Sequence, residues 1–268
     1  MTGNFRMIST TLAAALLAGA FFGVPHAVAA SEKKSTAIVE PQQDRLSIRD
    51  AEARLNKSQF NNVKVSVDQG IATLTGTVGL YEYKTDAEKR AGKAKGIVAV
   101  RNLIAVGGAT PPDRELLSDL VDKLSYDRVG FGNVFNAVSA SVENGVVTLG
   151  GHARTYMDRD SAIALVATTP GVKDVVGEIE VDPVSLMDDR IRVRVARAVY
   201  GYTSLSKYAI DPAKPIRISV QNGNVSLYGM VNSQADKDTA NIRANGVAGV
   251  FGVNNYLQVA GQENEARR

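Results

Sequence analysis

The chain has 268 residues, a formal charge of +3 and neither cysteine nor tryptophan. The lack of cysteine excludes a lipid-modified N-terminal Cys, a disulfide framework and any thiolate metal site or nucleophile. A nearly neutral balance argues against a nucleic-acid partner, which calls for a concentrated basic surface.

Residues 1–30 read as a leader. Arg6 precedes an apolar stretch from Thr11 to Val24, and Ala27-Val28-Ala29 supplies small residues for a peptidase, so a cleaved secretory signal peptide is expected. The apolar run is shorter than the ~20 residues a bilayer crossing needs. Export without cysteine suits the periplasm, with release to the medium as the alternative. Residues 31–46 are polar and weakly patterned, and 261–268 likewise; both are expected to be disordered.

Between them one motif occurs three times: Gly70-Ile71-Ala72-Thr73-Leu74-Thr75-Gly76, Gly145-Val146-Val147-Thr148-Leu149-Gly150-Gly151 and Gly223-Asn224-Val225-Ser226-Leu227-Tyr228-Gly229. Twenty residues after the last glycine of each comes Gly96-Ile97, Gly171-Val172 or Gly249-Val250, with no insertion in any copy. Copies of this length are too long for solenoid units and long enough to hold a small core, so three tandem domains are expected, at 47–107, 112–182 and 187–260.

Each copy opens with a helix-forming segment: Ser47 to Asn56, Asp113 to Leu124 and Asp188 to Tyr200. In the second, Leu116, Leu120 and Leu124 mark one face behind Asp113 as N-cap. The third alternates like a strand from Arg190 to Val195, but Ile191, Val195, Ala198 and Val199 also keep helical spacing, and helix is preferred. Two alternating runs follow around Asp68-Gln69-Gly70, Glu143-Asn144-Gly145 and Gln221-Asn222-Gly223, a β-hairpin whose glycine needs positive φ. The second glycine, at 76, 151 and 229, falls within the outgoing strand, where a missing side chain permits close packing or a bulge. A second helix is expected over Tyr81 to Lys95, Tyr156 to Thr168 and Ser233 to Asn245. Its stripe of small residues at 87 and 91, 162 and 166, and 240 and 244 lets it lie close on a sheet. A strand closes each unit through Val100, Ile104 and Val106 and their counterparts, pairing parallel to a hairpin strand. The fold class is α+β: three α-β-β-α-β units, each a three-stranded mixed sheet with two helices on one face. Pro-stiffened linkers at 107–112 and 182–186 keep the units close.

The Gly-x-Val-Thr-Leu-x-Gly hairpin, the helix alanine, the Gly-Val pair and the endings Val100-Arg101-Asn102-Leu103-Ile104-Ala105-Val106 and Val253-Asn254-Asn255-Tyr256-Leu257-Gln258-Val259 resemble the BON domain family of bacterial envelope proteins. The second copy departs from it in having Gly177 where the others have Asn. The resemblance implies an envelope-stress protein that binds anionic phospholipid surfaces or acts on outer-membrane protein folding, without enzymatic chemistry.

The residues themselves assemble no catalyst. His26 leaves with the leader, and His152 is a lone strand histidine. No nucleophile with its base, no zinc set and no phosphate-cradling glycine loop can be built, so neither cofactor nor small-molecule substrate is expected. Function is sought where the copies differ. The first carries ten basic and six acidic residues, the second six and twelve, the third nine and five. Two basic clusters are candidate sites for an anionic membrane surface: Lys84, Lys89, Arg90, Lys93 and Lys95 beside Tyr81 and Tyr83, and Arg190, Arg194 and Arg197 with Arg192 among them. A plain solvated helix face is the competing reading for the first, and contact with the acidic second domain for part of the second. The inserts before the second and third hairpins carry Phe131, Phe135, Tyr202 and Tyr208, which are candidates to contact envelope proteins or else to cap their own cores.

Overall fold

The computed structural model describes residues 36–126, 131–211 and 214–261. Residues 1–35, where the leader is expected, and the tail from 262 lie outside that range. The first domain contains α1 (Thr36–Arg54), β1 (Val63–Asp68), β2 (Ile71–Val78), α2 (Tyr81–Ala91), β3 (Ala99–Asn102) and β4 (Ala105–Val106). The second contains α3 (Asp113–Tyr126), a short turn of helix α4 (Phe131–Val134), β5 (Ala137–Glu143), β6 (Val146–Ala153), α5 (Tyr156–Ala167), β7 (Asp174–Gly177) and β8 (Glu180–Val181). The third contains α6 (Leu186–Tyr200), β9 (Arg217–Gln221), β10 (Asn224–Val231), α7 (Gln234–Asn245) and β11 (Gly252–Val259).

Each unit is α-β-β-α-β. The hairpin is antiparallel, and the closing strand pairs parallel to its second strand, giving the orders β1-β2-β3, β5-β6-β7 and β11-β10-β9. The closing strand is continuous only in the third domain. In the other two it falls into two pieces that pair with the same neighbour. Asn102 stands at the break: its amide donates to Lys84 O on α2 at 2.9 Å, and its Oδ1 accepts Ile104 N at 3.2 Å. Asn255 does the same with Lys237 O at 2.9 Å and Leu257 N at 3.2 Å. This asparagine therefore pins the closing strand to the second helix. At Gly177 there is no such pin, and a side chain there would instead meet Ile163 Cδ1 at 3.4 Å.

The turns explain the glycines. Gln69, Asn144 and Asn222 have φ of 50°, 53° and 50°, and the glycines after them 78°, 79° and 76°, as a two-residue hairpin turn with two left-handed positions requires. A Cβ on Gly76 would sit 1.9 Å from Asn62 O, one on Gly151 2.0 Å from Ala137 O, and one on Gly229 2.7 Å from Pro215 O, so the two hairpin strands approach more closely than any side chain permits. The third landmark belongs to the same construction. A Cβ on Gly70, Gly145 or Gly223 would point at the carbonyl of Gly96, Gly171 or Gly249, at 3.0, 3.2 and 3.1 Å.

Cores lie between the sheet and its helices. Leu74, Ala87, Ala91 and Ile104 fill the first, Leu116, Leu120, Leu149, Ala162 and Val166 the second, and Ile191, Val195, Ile218, Leu227, Ala240 and Leu257 the third. Each fully buried Leu or Ile contributes about 1.5–3 kcal/mol relative to exposure, which suffices without disulfides only because the small helix residues let the layers close.

Two expectations need correction. Helix α1 begins at Thr36, so much of the stretch read as disordered is helical. Its placement comes from tertiary contacts that periodicity does not show: Gln43 and Ser47 pack where a Cβ on Gly96 would lie, at 2.7 and 2.5 Å, and Ser47 is fully buried. Helix α2 ends at Ala91, with Gly92 as its cap, so Lys93 and Lys95 lie in the turn beyond it rather than on the helix. The Arg190–Val195 run, by contrast, is helical as preferred, and α6 buries Ile191, Arg192, Val195, Ala196 and Val199.

Candidate functional site

The first basic cluster divides into two groups. Arg90 pairs with Asp86 at 2.8 Å and lies over the Phe60 ring at 5.8 Å, while Lys84 sits over Tyr81 at 5.9 Å. These two are committed to the domain's own packing. Lys89, Lys93 and Lys95 are exposed. The backbone N–H of Lys95 donates to Asp50 at 2.8 Å, which, ahead of the Arg54 bond, holds the Asp50 carboxyl below its usual range. Tyr81 faces the second domain instead of solvent. It packs against that domain's core, and burial followed by the nearby Asp174 carboxylate pushes its phenol up.

The second cluster behaves differently. Arg190, Arg194 and Arg197 are four and three residues apart and all exposed, so they form one face of α6. Leu186, 78% exposed, Met187, 60% exposed, and the half-buried Val193 lie along the same face. Together with Asp189 these residues line an open groove of about 650 Å³. Guanidinium groups thus flank an uncovered apolar strip.

Arg192, one step round the helix, is only 2% exposed. Its guanidinium donates to Asp182 at 2.8 Å, to Val220 O at 2.8 Å and to Asp189 at 2.6 Å. Asp182, equally buried, also accepts Ser219 Oγ and Gln221 Nε2. Arg154 of the second domain bonds Asp189 at 3.2 Å. Burial raises the Asp189 carboxyl, but Arg154 and Arg192 outweigh it and hold the group below the normal carboxylate range. His152 completes the boundary, with Nδ1 3.7 Å from Asp182 and 3.8 Å from Glu180. Its ring starts a row across the sheet, 6.0 Å from Tyr228, which stacks on Tyr256 at 5.1 Å. The acidic second domain therefore does take an arginine from the third, and the lone histidine belongs to that junction.

Two of the aromatic loop residues are withdrawn as contacts for an outside partner. Phe135 is buried in the third domain's core cluster although it belongs to the second, and Arg154 lies over its ring. Tyr208 is buried too; its hydroxyl donates to Asp236 at 2.8 Å and accepts Asn232 N at 2.6 Å. Both cap cores, as the competing reading had it. Tyr202 is exposed, beneath Arg243 at 5.2 Å. The side chain of Phe131 lies outside the described residues.

An acidic device went unread in the sequence. The carboxylates of Asp44, Asp113 and Asp188, all on the first helix of their domain, each accept both left-handed turn amides: Gln69 and Gly70 at 3.1 and 3.1 Å, Asn144 and Gly145 at 2.7 and 2.9 Å, Asn222 and Gly223 at 3.0 and 2.8 Å. Asp113, expected to cap its helix, serves the hairpin. A second signal was available in Thr155-x-x-Asp158, Ser185-x-x-Asp188 and Ser233-x-x-Asp236, where the hydroxyl accepts the N–H three residues on. Among the described residues no group of three His, Asp or Glu could hold a metal, and no helix is long and apolar enough to cross a membrane.

Residues 48–108, 113–183 and 188–261 each match the BON domain. The chain belongs to the BON domain family. The three BON domains account for nearly everything described after α1's first turns, and the matched ranges agree with those expected from the glycine repeat. No curated protein matches the chain. Among solved structures it is similar to CdsD, a structural protein of the type III secretion system of Chlamydia trachomatis. The identity is 16% over 79% of this chain and 91% of that one, with a TM-score of 0.24. The C-terminal domain of CdsD is similar at 14% identity over 79% and 96%, with a TM-score of 0.23. Likeness at that level transfers nothing to these BON domains.

Proposed function

We propose that this protein is a non-catalytic envelope protein, exported to the periplasm, that docks on anionic phospholipid surfaces through the third domain's first helix. The observation that carries this is the α6 groove, where Arg190, Arg194 and Arg197 border the exposed Leu186 and Met187. Guanidinium groups reach phosphate while the apolar strip meets the acyl boundary, an arrangement of peripheral binding. Each basic residue near an anionic surface contributes up to about 1 kcal/mol, so three supply roughly a hundredfold preference for anionic over neutral lipid. Lys89, Lys93 and Lys95 are the candidates for a weaker second contact. Without tryptophan as an interfacial anchor, binding is shallow and weakened by salt.

Co-sedimentation of the exported protein with phosphatidylglycerol-containing and pure phosphatidylcholine vesicles tests the reading. Binding to the anionic vesicles only, lost at high salt and in R190E/R194E/R197E but merely reduced in K89E/K93E, is expected. Equal binding to both vesicle types at low salt refutes it.

A further inference from the structure

The first strands of the second and third hairpins, β5 and β9, lie against each other, and α4 packs on β9 as well. The same junction takes Arg217 of β9 into a small cavity with Leu124, Asn133, Asn136 and Val138 of the second domain. The chain thus brings two of its three domains together at their first hairpin strands, without a shared backbone ladder. The equivalent edge of the first domain, β1, ends its sheet with no strand beyond it among the described residues. Beside it opens a groove of about 480 Å³ between α1 and β1, whose walls include Arg49, Glu52, Phe60 and Val65.

The charges on β1 show what fits there. Counted back from the turn glycine, Lys64 occupies the register position of Arg217 in β9, and Asp68 that of Glu143 in β5. β1 therefore carries a basic and an acidic position on one strand. If β1 pairs antiparallel with an identical strand about Ser66, Lys64 falls opposite Asp68 of the other strand, twice, and Val65 falls opposite Val67. The faces stay in phase, with the half-buried valines on the helix side and the exposed Lys64, Ser66 and Asp68 on the other. Neither Lys64 nor Asp68 is in an ion pair among the described residues. The groove adds Arg49 and Glu52, again one charge of each sign, as a two-fold interface needs.

We infer that β1 is a self-complementary docking edge whose occupant is β1 of a second copy of this chain, giving a two-fold dimer that continues the first domain's sheet across the junction.

Light scattering coupled to size exclusion reads this directly on the exported protein, with a mass of twice one chain that falls toward one chain on dilution. Lys64→Asp sets like charges against each other and yields monomer under the same conditions, whereas K64D/D68K exchanges the signs and restores the dimer. Both positions are exposed, so unchanged circular dichroism is expected. Because the chain lacks cysteine, Ser66→Cys provides an independent reading: oxidation links two chains through that single thiol at the two-fold axis. A monomer at every concentration, a dimer indifferent to Lys64→Asp, or a dimer lost in Lys64→Asp that the charge exchange fails to restore overturns the inference.

Discussion

Replacing Asp188 by alanine tests the hairpin clamp. Asp188 is 3% exposed, and its carboxylate accepts Asn222 N at 3.0 Å and Gly223 N at 2.8 Å. Hydrogen bonds to charged groups contribute about 1.5–3 kcal/mol each, and one carboxylate serving both makes the sum less than additive, so about 3 kcal/mol is expected for Asp188→Ala. Gly223 is buried, so water does not replace the lost acceptor there. Asp188→Asn keeps one acceptor oxygen and is expected to cost about half as much. Asp44→Ala is the internal control: its bonds are 3.1 Å each and more exposed, so water takes over, at a cost of about 1 kcal/mol. Hydrogen exchange read by mass spectrometry on the β9–β10 hairpin localises the effect, which a global melt of three domains does not. Asp188→Ala is expected to speed exchange of those amides on the order of a hundredfold. A change below threefold, or an equal response of the first hairpin to Asp44→Ala, refutes the reasoning that burial sets the strength of the clamp.

Other perturbations follow from the same contacts. Arg192→Met strands the buried Asp182 carboxylate and is expected to lower third-domain stability by about 3–5 kcal/mol, while R192M/D182N, which removes both charges, loses less in urea unfolding. Gly151→Ala forces a Cβ to 2.0 Å from Ala137 O and is expected to unfold the second domain. Gly108→Ala, at φ 103° with open space around it, costs only about 1–2 kcal/mol in the same urea unfolding. Burial raises the Asp236 carboxyl, but Lys207, Tyr208 and Ser233 outweigh it and bring the group below its usual value. Its contribution is therefore complete above the unfolded value of about 3.9 and is lost as pH falls through the lower folded one. Asp236→Asn should flatten that acid limb of a stability–pH curve.

What could be read from the sequence was local chemistry. Asn-Gly at 144–145 and 222–223 between alternating runs identifies a hairpin, the same frame extends it to Gln69-Gly70, and alanine at 87, 162 and 240 marks a helix lying close on a sheet. What escaped depends on distant partners. Arg192 in sequence is the middle of three alternating arginines, with Arg197 three residues further on; only the fold sets it against Asp182 and Val220 and leaves Arg190, Arg194 and Arg197 outside. Phe135 looks like a loop aromatic until the third domain closes over it. The placement of α1 comes from what Gln43, Asp44 and Ser47 touch near Gly96 and the first turn, and nothing in the spacing of its apolar residues announces that. At the candidate site, the arginine cluster was legible, whereas its partition into a buried member and an exposed face was not.

The abutment of each turn glycine on the carbonyl of the glycine after the second helix closes those elements into a ring of fixed circumference. The ring contains β2, α2 and their counterparts, and here the three copies keep one spacing to the residue. The run from the first helix to the hairpin lies outside it, from Arg54 to Val63, Tyr126 to Ala137 and Tyr200 to Arg217, and each is a different length. A foreign peptide spliced between Ile210, which is 79% exposed, and Asp211 should be carried without loss of fold, whereas one residue added between Val78 and Tyr81 breaks the closure. The domain is thus a scaffold with one permissive gate, through which the second and third copies have already acquired their core caps.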